Sequence, residues 1–257
     1  MNKIENLEDC NKYNKSFTLP KEHIIYRIKF SKGEAMKYIG HLDVMRLFQR
    51  AIKRASLPIA YSQGFNPHQL ISFASPLTLG TISIGEYVDV EFLEKISTCD
   101  IKNNLNSVLD NIEGIRVLDV VLLKSGVKKA MTSVSASTYE VVLDNKVTIE
   151  IVEKNLENYI NQDEILVLKK TKKNLKETNI KEDIFDIKNI SKNNEVKLFM
   201  FLASGSKRNL KPESVVNGFY NYLDIEFDKY NIRYKRIDMF REENGKYLNL
   251  LENVGVL

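Results

Sequence analysis

Three features of the 257-residue sequence have residue types and spacings that could do chemistry. The first is His41 and His68, two of only three histidines. Imidazole titrates near neutral pH and serves as acid or base. Two imidazoles converging on one cleft, with Tyr61 or Arg46 stabilising charge, would suit metal-independent RNA cleavage by attack of the 2′-hydroxyl. The second is a row of cations, Arg46, Arg50, Lys53 and Arg54. The arginines recur at i, i+4 and i+8, which on a helix makes one stripe. Guanidinium groups bind phosphate bidentately, and a stripe spaced one turn apart can follow a polyanion backbone. The third is Tyr61-Ser62-Gln63-Gly64-Phe65-Asn66-Pro67-His68. Gly64 permits a positive φ, and Asn66-Pro67 favours a turn. Phe65 offers a ring on which a base could stack, while Tyr61, Asn66 and His68 offer hydrogen bonds.

A fourth, weaker feature lies further on. Gly205-Ser206-Lys207-Arg208-Asn209 sets small residues and two cations before a predicted helix, an arrangement that can hold phosphate. The catalytic candidates are therefore His41, His68 and Tyr61. The candidates for binding RNA or a partner are Arg46, Arg50, Lys53, Arg54, Gly64, Phe65, Asn66, His68, Lys207 and Arg208. Each has a plainer alternative. The stripe could be a solvated face, or be paired with Glu86 or Glu91. His41 could cap its helix or pack beneath a sheet, Phe65 could plug the core, and 205–209 could be a basic turn.

Composition narrows the chemistry. Residues 21–80 carry nine basic and three acidic side chains, a net of +6 against +4 for the whole chain. No acid occurs from Val44 to Gly85. Ten of the 19 Gly, Pro and His residues fall between Gly33 and Gly85. The two cysteines, Cys10 and Cys99, are too few for a Cys-ligated zinc site or an iron–sulfur cluster. No metal site is expected in this chain, and neither common phosphate-loop signature is present. No apolar run reaches the ~18–20 residues that span a bilayer. The polar N-terminus lacks the apolar core of a secretion signal, so a cytoplasmic protein without membrane contact is expected.

These residues must be held by regular elements. Alternation predicts a strand over 23–30, with Ile24, Tyr26, Ile28 and Phe30 on one face and Ile25, Arg27 and Lys29 on the other. Residues 41–55 read as an amphipathic helix with Val44, Leu47, Phe48, Ala51 and Ile52 among its apolar positions. Leu57-Pro58 stops it. Short strands at 59–61 and 70–74, a strand at 86–92, a helix at 97–109 and a strand at 115–123 follow. The order repeats: strand 137–143, helix 147–159, strands 164–170 and 196–203, a helix from Pro212 to 223 and strand 232–240. The expected fold is α+β, two tandem ferredoxin-like (βαββαβ) domains at 21–130 and 131–257. A flexible tail at 1–20 precedes them. A lysine-rich insert at 171–195 reads as a mobile excursion, in which 183–190 could form an extra strand.

Residues 26–92, and within them the HLD, RA-x-x-P and SQGFNPH motifs, resemble the radical-SAM-linked family of bacterial proteins. Such proteins occur beside, or fused to, a radical SAM protein. This sequence departs from that pattern at Gly40, where Ser is common, and at Gln69-Leu70, where Pro and a basic residue usually stand. The resemblance implies a radical SAM protein as partner. The iron–sulfur cluster and S-adenosylmethionine would then belong to that partner, with no cofactor in this chain. The tandem architecture is also similar to that of RNA-processing CRISPR endoribonucleases, which cleave without metal, often using a His on or near the first helix. Together these give three readings: an RNA-binding accessory module presenting rRNA or tRNA to the radical SAM enzyme, an endoribonuclease using His41 and His68, and a protein–protein adaptor.

Overall fold

The alternation at 23–30 is a strand, β1 (Ile24–Lys32). The structure, a computed structural model, describes residues 24–170 and 174–255. The segment 1–20 with Cys10, and Lys172 and Lys173 of the insert, lie outside the described residues. One face of β1 buries Tyr26, Ile28 and Phe30. Helix α1 (His41–Arg54) lies on that face and buries the predicted Val44, Leu47, Phe48, Ala51 and Ile52. The rings of Phe30 and Phe48 meet at 4.7 Å. Past the helix, Ser56 adopts a positive φ and Pro58 prevents continuation.

Strands β2 (Ile71–Phe73) and β3 (Thr81–Phe92), helix α2 (Thr98–Leu109) and strand β4 (Ile115–Leu122) complete the first half. Its strand order is β4-β1-β3-β2, with every neighbouring pair antiparallel. Residues 59–61 make only isolated bridges, Ile59 to Phe92 and Tyr61 to Gln69.

A short helix α3 (Ala130–Ser133) leads into β5 (Val134–Val142), α4 (Ile149–Ile160), β6 (Leu166–Lys170), β7 (Leu175–Asn179), β8 (Ile184–Asn189), β9 (Lys197–Ala203), α5 (Pro212–Tyr222), β10 (Arg233–Glu243) and β11 (Lys246–Asn249). Here the order is β10-β5-β9-β8, and β11 pairs with β10. The strand read at 164–170 does not join this sheet; it pairs with β7 in a separate two-stranded sheet. Val167 is buried while Leu166 and Leu168 point outward. The place beside β9 goes to β8, whose Ile187 is buried in the core.

The two halves are not separate sheets. β3 starts five residues before the expected strand. Its first residues, Thr81 to Ser83, pair in parallel with Tyr234 to Arg236 of β10. The result is one nine-stranded mixed sheet with five helices. Gly85 permits the junction: a Cβ there would sit 2.3 Å from the Ile237 carbonyl oxygen and 2.6 Å from the Asp238 Cα, closer than any side chain allows. Each half keeps its own apolar cluster, one around Phe48, Val88 and Leu105, the other around Leu156, Leu198 and Phe219.

The reverse face of β1 and β3 carries charge, and that charge is buried. Arg27 is fully buried and holds Asp89 through two hydrogen bonds of 2.7 and 3.0 Å. It also donates to the carbonyls of Leu250 and Lys128, each at 2.9 Å. Asp89 accepts a further bond from the Ala130 N–H at 2.7 Å. Lys29 reaches Asp238 at 2.8 Å, and the Tyr87 hydroxyl donates to the same carboxylate. The alternation at 23–30 thus separates an apolar core face from a buried ionic face, covered by α3 and the chain following β10.

Candidate nucleic-acid interface

The α1 stripe is exposed at all four positions. Arg46 donates to Asp43 at 3.1 Å, with both side chains more than half exposed. An ion pair of that kind is worth ~0–1 kcal/mol and yields to a competing anion. Arg50, Lys53 and Arg54 have no ion pair among the described residues. The acids that could have neutralised them are engaged elsewhere: Glu86 pairs with Arg236 at 3.2 Å and Glu91 with Lys129 at 2.6 Å.

The 61–68 loop stands beside this stripe. At its base, Tyr61 bridges to Gln69, and the Gln69 side-chain amide donates to the Gln49 carbonyl of α1 at 3.3 Å. Gln49 lies one turn from Arg46 and from Lys53. The loop is closed by Ser62: its backbone N–H donates to the His68 carbonyl at 2.8 Å, and its hydroxyl accepts from the His68 N–H at 3.0 Å and bonds Nδ1 at 2.8 Å. Gly64 takes φ +115°, a conformation closed to most side chains. Phe65 is not a core plug: it is as exposed as a side chain can be, at 111% of the reference area. Asn66 and His68 are exposed as well, and Tyr61 is 44% exposed.

His41 lies elsewhere. It is the first residue of α1, after an N-cap Gly40 that offers no side-chain cap. Its ring packs edge-on against Phe73 at 5.3 Å, and burial lowers its pKa from the ordinary 6.5. It borders a small cavity with Lys32 and Glu86. Burial pushes the Glu86 carboxyl up, against the pull of Arg236, Ser83 and Lys32. Burial pushes the Lys32 ammonium down, against the pull of Glu86. His68 is not among the residues bordering that cavity. The catalytic candidates are thus split between a half-buried cavity and an exposed loop.

Arg208 is committed to structure: it binds Asp183 at 3.1 Å and stands over the Phe185 ring at 5.8 Å. Lys207 is exposed. No cluster of three or more His, Cys, Asp or Glu able to hold a metal occurs among the described residues. No helix of the described residues is long and apolar enough to cross a membrane.

A larger concavity opens at the β3–β10 junction, bordered on one side by Asn209, the last residue of the 205–209 segment, and by the start of α5. It is a cleft of about 670 Å3 between the 75–81 loop and Tyr38 on one side and Tyr139, residues 209–213, 229–232, Tyr234 and Arg236 on the other. Ser75 and Leu77 border both this cleft and the His41 cavity. Its residues come from segments more than 190 positions apart, so the sequence marked only its 209–213 side and not the Tyr38 and 75–81 side that faces it.

The fold and site define an α+β protein with a basic helix face, an exposed aromatic loop and a cleft at the junction of its two halves. Residues 25–212 match the family described as uncharacterized protein conserved in bacteria (DUF2344), and the chain belongs to that family. No curated protein matches it. Among solved structures, a chain in the crystal structure of a Cbf5-Nop10-Gar1 complex is 9% identical, with 85% of this chain and 50% of that chain covered and a TM-score of 0.45. This chain therefore spans about half the length of that one. An unknown protein from Galdieria sulphuraria is 10% identical, with 85% and 99% covered and a TM-score of 0.24. Neither likeness is close enough to bear on function.

Proposed function

We propose that the protein is an RNA-binding accessory module that serves a separate radical SAM enzyme in RNA modification or processing. The observation that carries the reading is the contact from Gln69 to the Gln49 carbonyl, which sets the fully exposed Phe65 loop beside the unpaired cations of α1. Cations tracking phosphates next to a free aromatic ring form the usual platform for single-stranded nucleic acid. Arg46, Arg50 and Arg54 position the backbone, and Phe65 and His68 meet a base. The radical SAM partner rests on the HLD, RA-x-x-P and SQGFNPH motifs, and its cluster and S-adenosylmethionine stay in that partner. Each half is read as a ferredoxin-like unit from the strand orders β4-β1-β3-β2 and β10-β5-β9-β8. The two-histidine nuclease has no observation in its favour: the cavity that His41 borders does not include His68 in its lining.

Replacing Arg46, Arg50 and Arg54 by Ala tests the reading. Each phosphate contact on a single strand contributes about 0.7 to the slope of log affinity against log salt, so the slope should fall by roughly 2. Across a fourfold rise in salt, that is a roughly 20-fold smaller loss of affinity in the variant than in the parent. Filter binding to RNA co-purified from cells gives the slope. An unchanged slope refutes the reading, and a stable complex with the radical SAM protein that ignores both RNA and these arginines establishes the adaptor instead.

A further inference from the structure

The cleft at the β3–β10 junction shares no residue with the RNA interface, and three observations indicate what it takes. Its volume, about 670 Å3, lies within the ~300–1,000 Å3 typical of small-molecule sites. First, α5 begins on its wall. Lys211 is the N-cap and provides no side-chain cap, Pro212 brings no N–H, and the Ser214 N–H donates to the Lys211 carbonyl at 3.0 Å, so the positive helix end faces the cleft with the Glu213 N–H uncapped by a side chain. Second, Arg236 borders the cleft and is only 4% exposed. Its terminal nitrogens are taken by Glu86 and the Pro76 carbonyl, but its Nε–H has no acceptor. Tyr234, another residue of the cleft lining, has a buried hydroxyl likewise without a hydrogen-bond partner. Buried polar groups are normally satisfied, and two unpartnered ones on residues of one cleft wall suit a ligand with polar atoms. Third, the mouth carries Tyr38 and Tyr230, exposed by 73% and 85%. Large exposed rings at a cleft edge suit stacking against a planar ring. With Arg236 neutralised by Glu86, Lys211 and Lys229 still outnumber Glu213, so the lining is net cationic.

An anion seat, unfilled buried hydrogen-bonding groups and flanking aromatic rings match a phosphate joined to a base. We propose that this cleft binds a nucleoside monophosphate, with the phosphate at the start of α5 beside Lys211 and the base against Tyr38 and Tyr230. Glu213 supplies the acceptor that ribose hydroxyls need.

Isothermal titration of the full chain with AMP, GMP, CMP and UMP tests this, with adenosine, uridine and inorganic phosphate as controls. At least one nucleotide should bind with Kd at or below about 1 mM, and its nucleoside and inorganic phosphate should bind about tenfold or more weakly. Lys211→Glu and Tyr230→Ala, both at exposed positions that leave the fold intact, should each weaken the nucleotide about tenfold. The Arg46/Arg50/Arg54 alanine variant should bind it normally, which separates this site from the RNA reading. The proposal is overturned by any one of three results: no heat with any nucleotide at about 5 mM, inorganic phosphate binding as tightly as the best nucleotide, or neither substitution having an effect.

Discussion

Replacing Arg27 by Met puts the buried ionic face to a quantitative test. The change deletes four hydrogen bonds: two to Asp89 and one each to the Leu250 and Lys128 carbonyls. Asp89, itself 2% exposed, is left as a carboxylate with the Ala130 N–H as its remaining hydrogen-bond donor. Removing one partner of such a pair costs about 3–5 kcal/mol, because the other charge stays buried without compensation. Against a typical stability of ~5–15 kcal/mol, that is a large share. For a chain of this size it corresponds to a fall in melting temperature of roughly 6–20 °C. Replacing both partners, Arg27→Met with Asp89→Leu, removes the stranded charge, so the double variant should be more stable than Arg27→Met alone by at least ~1 kcal/mol. Urea melts of the parent, both single variants and the double variant supply the cycle. Because Arg27 ties β1 to the 128–130 segment and to Leu250, protease sensitivity near both should rise with the loss of stability. A cost below about 1 kcal/mol for Arg27→Met, or a double variant worse than the sum of the singles, refutes the reasoning.

Three further outcomes are expected. Gly85→Ala forces a Cβ into the backbone of β10, so it should cost ~2 kcal/mol or more and loosen the β3–β10 pairing, seen as faster amide exchange at Tyr234 to Arg236; a neutral substitution would contradict the close approach. His41 has a lowered pKa in the fold, so the unfolded chain binds the proton first as pH falls below 6.5. Stability present above that pH is therefore lost on acidification, and His41→Leu should lose less between pH 7 and about 5.5 in chemical denaturation; equal losses would refute the assignment. Phe65→Ala should leave the melting temperature unchanged, since the ring touches no core, yet weaken RNA binding by about 1–3 kcal/mol; fluorescence titration measures the second and calorimetry the first.

Much of the scaffold follows from local pattern. The period of α1 defines both its buried stripe and its exposed arginines, and the alternation of β1 defines its two faces, because a helix or strand presents its side chains at fixed angles. Gly64 and Asn66-Pro67 mark a turn by their own backbone preferences. The Phe65 exposure was legible only as one of two options, since a ring in a turn can point either way. Other decisions depended on partners far along the chain. Val167 and Ile187 are both inward residues of short strands, and only packing determines that β8 rather than β6 borders β9. The start of β3 at Thr81 depends on β10 lying close enough to pair, over a backbone gap that Gly85 leaves open.

The sequence by itself determined the cation stripe, the aromatic loop and the elements bearing them, since these arise from neighbours within a few turns of one chain segment. Tertiary structure alone decided that the two halves share one sheet, that Arg27 and Asp89 form a buried pair, and that Tyr38, Lys211, Tyr230 and Arg236 meet around a cleft. Those juxtapositions arise from strand pairing between residues as far apart as Thr81 and Tyr234, and from side-chain contacts as far apart as Arg27 and Leu250, which no local spacing encodes.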